Sequence, residues 1–393
     1  MKTIHVIVAT GVWDRDHLRY RRHRFAEYLY KQPNTEEVIW LCPGGKQKGN
    51  HYIKELANGI KQWVIPDLGN NKIFRFGRFL PIFYRYKLKD AVSYLEEKKK
   101  YFSIKLWYTY PAYQELNNLI EWDQMVYDCS DLWAEQLSGS FSIGSLMKQK
   151  VIYNSEQAIV KEADYITCTS SYLKEQIERR APAYQKKNVF ILENGVEFEL
   201  FQKKDREILP VNEESFILGY IGGIKPKLDF ALIQKVAQKK RNWTFLFVGP
   251  DGTNGGLEFK QLVREPNVIW TDRVSPDQVF KYMNSIDIGV MPYKQSNYNK
   301  AIFPLKLFEF LAAGKAVVGI NLPSTVAYVE SGIYELLQGI IEVDVFIEAC
   351  REMEKQASDK KLEQRRIQLA ESKNWDHIFY EMNNISSVIA RGN

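Results

Sequence analysis

Short apolar runs rich in β-branched residues alternate with amphipathic segments along the whole of this 393-residue chain. TIHVIVAT, EEVIWLC, IKLWYTY, QMVYDCS, YITCTS and NVFIL occupy the first half, and FILGYIG, WTFLFVGP, NVIWT, DIGVMPY and AVVGI the second. Between them lie segments of helical pattern such as LRYRRHRFAEYLYKQ, FALIQKVAQKK and PDQVFKYMNSI. Strands that alternate with helices form βαβ units, and these build parallel sheets through right-handed crossovers. The length favours two cores over one. The polar stretch QKKDREILPVNEES (202–215), followed at once by a fresh apolar strand, is where a joint is expected. The chain is thus expected to be an α/β protein of two doubly wound domains, residues 1–205 and 206–372. A helix at about 373–393 would pack back on the first. Ligands of such folds bind beyond the carboxyl ends of the strands, so two facing domains would define one cleft.

Several classes are disfavoured. The four cysteines, Cys42, Cys129, Cys168 and Cys350, form no CxxC pair, which argues against a disulfide framework and for a reducing, cytoplasmic setting. MKTIHVIVATG reads as a strand, not a signal peptide, and no window approaches the roughly 20 apolar residues of a membrane span. No GxGxxG follows the first strand and no GxxxxGK[ST] occurs, which disfavours dinucleotide oxidoreductases and P-loop enzymes. None of the five histidines pairs at metal-ligand spacing with a third ligand, so no metal is expected. The net charge of +6 suits an anionic partner, or an ordinary basic surface.

NKAIFPLKLFEFLAAGKAVVGI (299–320) carries the sharpest chemical signal. Pro304, with φ pre-set and no N–H, suits the first helical position. The amides of Leu305 and Lys306 would then point out of the helix start toward an anion. One turn on, Glu309 could accept hydrogen bonds from two vicinal hydroxyls of a ribose. Gly314 supplies a left-handed stop. A plain helix with one solvated Glu and one solvated Lys reads equally well. In GYIGGIKPKLDF (219–230), Gly222 and Gly223 allow backbone to approach a ligand, with Lys225 and Lys227 beside them, although most glycine pairs mark turns.

The first half offers weaker candidates. After the first strand, ATGVWDRDHLRYRRHRF brings together Gly11, Asp14, Asp16, His17, Arg19, Arg21 and Arg22, either a grip on an anionic acceptor or a basic helix start. VYDCSDLW (126–133) ends a strand with Asp128 and Asp131, each a possible base, or a cap for the next turn. NKIFRFGRFLPIFYRYKLK (71–89) interleaves Lys72, Arg75, Arg78, Arg85, Lys87 and Lys89 with aromatics and holds no acid. Such a mixture suits an anionic membrane surface; nucleic acid is not expected, because no binding module surrounds it. The alternative is aromatic core with Arg snorkelling outward.

Taken together, ENGVEFELF, GYIGGIKPKLDF, FLFVGPDG, NVIWTDRVSPDQVFKYMNSIDIGVMPY and FPLKLFEFLAAGKAVV resemble the retaining glycosyltransferases of family 4. EQAIVKEADYITCTSSYLKE extends the likeness into the first half, so that it covers most of the chain. The resemblance implies the GT-B fold, two Rossmann-like domains facing across a cleft. It implies transfer of a sugar from a nucleotide diphosphate donor, expected to be UDP-linked, to a cell-wall polysaccharide precursor such as teichuronic acid. No cofactor is implied. The enzyme would be cytoplasmic, with peripheral contact to the inner membrane face.

By the same resemblance Glu309 holds the ribose. Pro304, Leu305, Lys306, Gly222 and Gly223 lie on the diphosphate, Lys227 is its charge partner, and Arg273, Val274 and Tyr293 line the rest of the nucleotide site. Lys306, Lys227 and Asp131 are the candidate catalytic groups, and Gly11, His17, Arg19 and Arg22 the acceptor site. Two positions depart from the family. Ala301 stands where many members carry the first Glu of a Glu-x7-Glu pair, and Gly223 where many carry Arg. Those departures keep open a non-catalytic glycan- or membrane-binding module; a sugar-nucleotide epimerase of the same fold is the other alternative.

Overall fold

The computed structural model describes residues 1–14, 18–44, 53–69, 72–135, 143–184, 186–211 and 215–391. Two compact units make up the chain: Met1–Glu193 with Phe379–Asn393, and Asn194–Ile378.

The described strands of the first unit are β1 (Thr3–Val8), β2 (Thr35–Gly44), β3 (Ile53–Glu55), β4 (Lys61–Pro66), β5 (Ser103–Tyr108), β6 (Gln124–Cys129), β7 (Tyr165–Cys168) and β8 (Val189–Ile191). They form one sheet in the order β3-β4-β2-β1-β5-β6-β7-β8. Its pairs are parallel except for the short edge strand β3 against β4. Ile4, Val6, Ile7 and Val8 of β1 are fully buried, as expected of a parallel strand covered on both faces.

The second unit has β9 (Phe216–Ile221), β10 (Trp243–Val248), β11 (Val268–Thr271), β12 (Ile288–Pro292), β13 (Ala316–Ile320) and β14 (Tyr334–Leu337). Their order is β11-β10-β9-β12-β13-β14, all parallel. In both sheets the chain winds outward from a central strand and then reverses, so the switch points lie between β1 and β5 and between β9 and β12.

The division between units falls earlier than the polar stretch at 202–215. Val196, Phe198 and Phe201 are buried in the apolar core of the second unit. The polar stretch itself is tied to that unit, since Asn284 Nδ2 donates to the carbonyls of Lys203 and Asp205 and Glu207 N–H donates to the Lys281 carbonyl. At the other end the division lies inside the helix Trp375–Arg391. From Phe379 on, that helix belongs to the first unit: Phe379 packs on Phe25 and Tyr28, and Tyr165 Oη donates to the Met382 carbonyl at 2.8 Å.

Candidate functional site

Gly222 and Gly223 follow the last residue of β9, and Tyr293 follows the last residue of β12, so all three stand at the switch point of the second sheet. Gly222 has φ +138°, and Gly249, just beyond β10, has the same value. A Cβ on Gly249 would lie 2.3 Å from the Gly222 carbonyl oxygen, and Gly222 N–H donates to the Val248 carbonyl at 2.7 Å. Bare backbone is therefore a steric requirement here. The rest of the loop is fastened along the end of β12. Asp229 N–H donates to the Pro292 carbonyl and Lys294 N–H to the Lys227 carbonyl, while Leu228 bridges Tyr293.

The helix Leu305–Ala312 faces this loop. Leu307, Phe308, Phe310, Leu311 and Ala312 are buried, and the half-buried positions are Leu305, Lys306 and Glu309. At spacings of three and four these fall on one face. Pro304 is the N-cap, with ψ 127°, one position before the first helical residue expected of it. The first-turn amides of Leu305 and Lys306 still have no partner within the helix, and the helix dipole adds positive potential there. At the other end Gly314 N–H donates to the Leu311 carbonyl and Lys315 N–H to the Phe310 carbonyl. With Gly314 at φ +77°, these bonds make a Schellman stop.

Helix and loop meet at Lys306. A Cβ on Gly222 would lie 2.4 Å from Lys306 Nζ, so the ammonium lies across the glycine. It also stands 5.2 Å over the ring of Tyr220, whose hydroxyl donates to the Gly223 carbonyl at 3.2 Å. Lys227 Nζ is 4.9 Å over the ring of Tyr293 and 5.9 Å from that of Tyr298. Burial raises the hydroxyl of Tyr293, with Lys306 pulling it down and Glu309 pushing it up, so both charges act on that one ring. Burial likewise raises Tyr220, with Glu309 adding to the shift. Both phenols stay neutral. Glycine backbone, two cations, one carboxylate and two buried phenols thus converge on one switch point, an arrangement that can hold a phosphate and a diol.

Other expected residues stand apart. Arg273 is exposed and Val274 packs on the core, both beyond the edge strand β11 and two strands from the switch point. Ala301 is buried at the end of the short helix Asn297–Ala301.

In the first unit Gly11 lies beyond β1, buried, its carbonyl accepting from Trp40 Nε1 at 2.9 Å. Arg19 pairs with Asp14 at 3.3 Å and its guanidinium stands over Trp13, and Arg22 stands over Tyr20. His17 and Asp16 lie outside the described residues. Asp131 is half-buried just beyond β6. Arg21 and Asp128 leave the candidate set: Arg21 Nε donates to both oxygens of the buried Asp128 carboxylate, at 2.9 and 3.1 Å, and Thr167 Oγ1 donates to it as well. Asp128 is the anchor of a buried ion pair, not an open base.

Three residues of the second unit escaped the sequence reading. Tyr220 supports Lys306. Asn299 Nδ2 donates to the carbonyls of Lys227 and Lys294 and so pins the lysine loop. Asn194 Nδ2 donates to the Phe303 carbonyl at 2.6 Å, just before the helix start. The asparagines in ENG and NYNK were visible as turn formers, but their distant carbonyl partners were not.

The family model for glycosyl transferases group 1 matches residues 215–356, the region that holds this site. TuaH of Bacillus subtilis (strain 168), provisionally named a teichuronic acid biosynthesis glycosyltransferase, is 48% identical over 384 residues, covering 96% of each chain. Among solved structures, sucrose-phosphate synthase from Thermosynechococcus elongatus superposes with TM-score 0.75 at 14% identity, covering 100% of both chains. Anabaena HepE, solved in complex with UDP-glucose, gives TM-score 0.65 at 14% identity over 99% of both chains. These likenesses show the two-domain GT-B fold.

Proposed function

The chain belongs to the group 1 glycosyltransferases, and from that membership we propose that it moves a sugar from a UDP-linked donor to a cell-wall polysaccharide precursor such as teichuronic acid. The observation that carries the donor half is the convergence of Gly222, Lys306 and Glu309 at the switch point of the second sheet. UDP is the preferred nucleotide because a relative of the same fold was solved with UDP-glucose. The 48% identity to TuaH is what supports the acceptor.

In this reading Glu309 accepts hydrogen bonds from the ribose hydroxyls. The Leu305 and Lys306 amides, the Gly222–Gly223 backbone and the Lys306 and Lys227 ammonium groups face the diphosphate. As the acceptor hydroxyl oxygen bonds to the anomeric carbon, the bond from that carbon to the diphosphate oxygen breaks. The cations and the helix start stabilise the charge that develops there, the task a metal performs in other transferases. The hydroxyl proton passes to Asp131 or, if attack comes from the leaving-group face, to the departing diphosphate oxygen. Gly11, Arg19, Arg22 and His17 are assigned to the acceptor, and Arg273, Val274 and Tyr293 to the base and its surroundings.

Calorimetry with UDP, GDP and ADP tests the donor assignment. UDP binds wild type, and Glu309→Ala loses on the order of 1.5–3 kcal/mol, the contribution of a charged hydrogen bond. Equal UDP affinity in a well-folded Glu309→Ala would remove the ribose role. Preference for GDP or ADP would keep the site and change the donor.

A further inference from the structure

The basic aromatic stretch near residues 71–89 is not absorbed by sugar transfer, and the structure sorts its residues into two sets. One set is core. Phe79, Tyr84 and Leu88 are buried, and Arg78 is held by Asp67, its Nε donating to Oδ1 at 2.8 Å and Nη2 to both oxygens at 2.6 Å. Tyr84 Oη donates to the same carboxylate, Tyr113 N–H to the Arg78 carbonyl at 2.7 Å, and Gln114 Nε2 to the Phe79 carbonyl at 2.9 Å. Arg78 is therefore a structural cation and is removed from the surface set.

The other set faces outward on this fixed base. Ile82, Phe83 and Tyr86 are 81%, 54% and 82% exposed, in the turn between the 3-10 helix Lys72–Phe79 and the start of the helix Arg85–Lys99. Three large apolar side chains within five positions form an exposed patch that a soluble surface rarely tolerates without a partner. Around them Arg75, Arg85 and Lys89 are exposed and form no ion pair among the described residues. The first turn of the helix holds no acid, and Asp90 is the first carboxylate that the sequence meets. The helix Ile143–Glu162, which packs against the 3-10 helix, adds exposed Leu146 and Met147 with Lys148 and Lys150.

We infer that the turn Pro81–Tyr86 is a membrane-docking surface, in which Ile82, Phe83 and Tyr86 enter the interface of an anionic bilayer while Arg75, Arg85 and Lys89 meet its phosphates. Apolar side chains flanked by cations that form no ion pair among the described residues, with no acid in the first turn of the helix, match such a surface in both charge and polarity. A protein partner would need compensating acid of its own. A second copy of this chain presents the same cations to itself and is repelled.

Flotation of the full-length protein with phosphatidylglycerol vesicles and with phosphatidylcholine vesicles, at about 0.15 M salt, tests this. Wild type binds phosphatidylglycerol vesicles at least tenfold more tightly than phosphatidylcholine. Arg85→Ala and Lys89→Ala each lower that affinity about fivefold, the effect of one charge near an anionic surface. Ile82→Ser/Phe83→Ser/Tyr86→Ser lowers it at least as far while circular dichroism and UDP affinity stay at wild-type values. Equal partition onto both vesicles, or undiminished binding by the triple variant, overturns the proposal. So does a wild-type dimer, seen by sedimentation velocity, that the triple variant splits. Loss of UDP affinity in Glu309→Ala with vesicle binding intact separates this surface from the donor site.

Discussion

Gly222 is held at φ +138°, where a side chain is strained, and Lys306 occupies the space that its Cβ would need. Two residues far apart in sequence are thus coupled by one missing methyl. The proposed roles separate by ligand. Glu309 addresses the ribose, so Glu309→Ala should weaken uridine and UDP alike. Lys306 addresses the diphosphate, so Lys306→Met should weaken UDP by about 10- to 100-fold, in line with a charged hydrogen bond, and leave uridine within about twofold. Gly222→Ala should lower stability by about 1–3 kcal/mol, the usual size of a strained backbone conformation, and reduce UDP affinity by displacing the Lys306 ammonium. Competitive titration with both ligands and a thermal melt check all three variants; equal losses of uridine and UDP in Lys306→Met would refute the division of labour. Glu309 and Lys306 stood out in the sequence as candidates because they are a lone acid and a lone base on an otherwise apolar helix, a pattern that a plain helix with solvated charges shares. Tyr220, Asn194 and Asn299 did not, because their work is done through bonds to the carbonyls of Gly223, Phe303 and Lys227. Nothing local in the sequence encodes such partners.

At the scale of elements, the helix Leu305–Ala312 is seated by its buried face on the sheet. A Cβ on Gly289 of β12 would come within 2.5–2.7 Å of three atoms of the Phe310 ring, so the glycine sets how closely helix and strand approach. Gly289→Ala should overpack this contact at a cost of about 1–3 kcal/mol. Because Phe310 neighbours Glu309, UDP affinity should fall with stability. Adding Phe310→Leu should recover part of both losses, as expected of directly coupled residues. A double-mutant cycle read by chemical unfolding and UDP titration checks this, and additive losses would mean that the glycine acts elsewhere. The limits of this helix were readable to within one residue, since Gly314 and its Schellman bonds follow from the sequence AAGK. Pro304 falls at the N-cap because its own backbone is still extended, with ψ 127°, as is that of Ile302 two residues earlier. β4 and β14 left weaker traces. WVIP and YELL are too short for their periodicity to separate strand from helix, and only pairing with β2 and β13 decides the matter.

For the whole molecule, alternation of strands and helices made the paired parallel sheets legible, but the joint was misplaced, because burial of Val196, Phe198 and Phe201 in the second core is a tertiary fact. Its response to pH is likewise tertiary, and two groups of the first unit set opposing slopes. Burial, helped by the charge of Lys105, lowers His5 in β1 from 6.5 to about 3, and its Nδ1 accepts from Trp107 Nε1 at 3.0 Å. The neutral imidazole contributes stability that is present above pH 6.5 and lost as pH falls toward 3. Glu115 runs the other way. Burial raises its carboxyl from 4.5 to about 7, against the opposing pull of backbone amides at Glu115 and Tyr84. Its contribution is present below pH 4.5 and lost as pH rises through 7, amounting to on the order of 3 kcal/mol. Between pH 4.5 and 6.5 the two slopes offset each other. Glu115→Gln removes one of them, while its amide adds a pH-independent offset. Relative to wild type, the variant should therefore gain stability steadily from pH 4.5 to 7 and hold the gain above it. Urea unfolding at pH 4.5, 5.5, 6.5 and 7.5 measures that difference. A difference that stays constant across the series would show that the Glu115 carboxyl ionises alike in the folded and unfolded chain. A difference that falls with pH would mean that an unseen cation holds it charged.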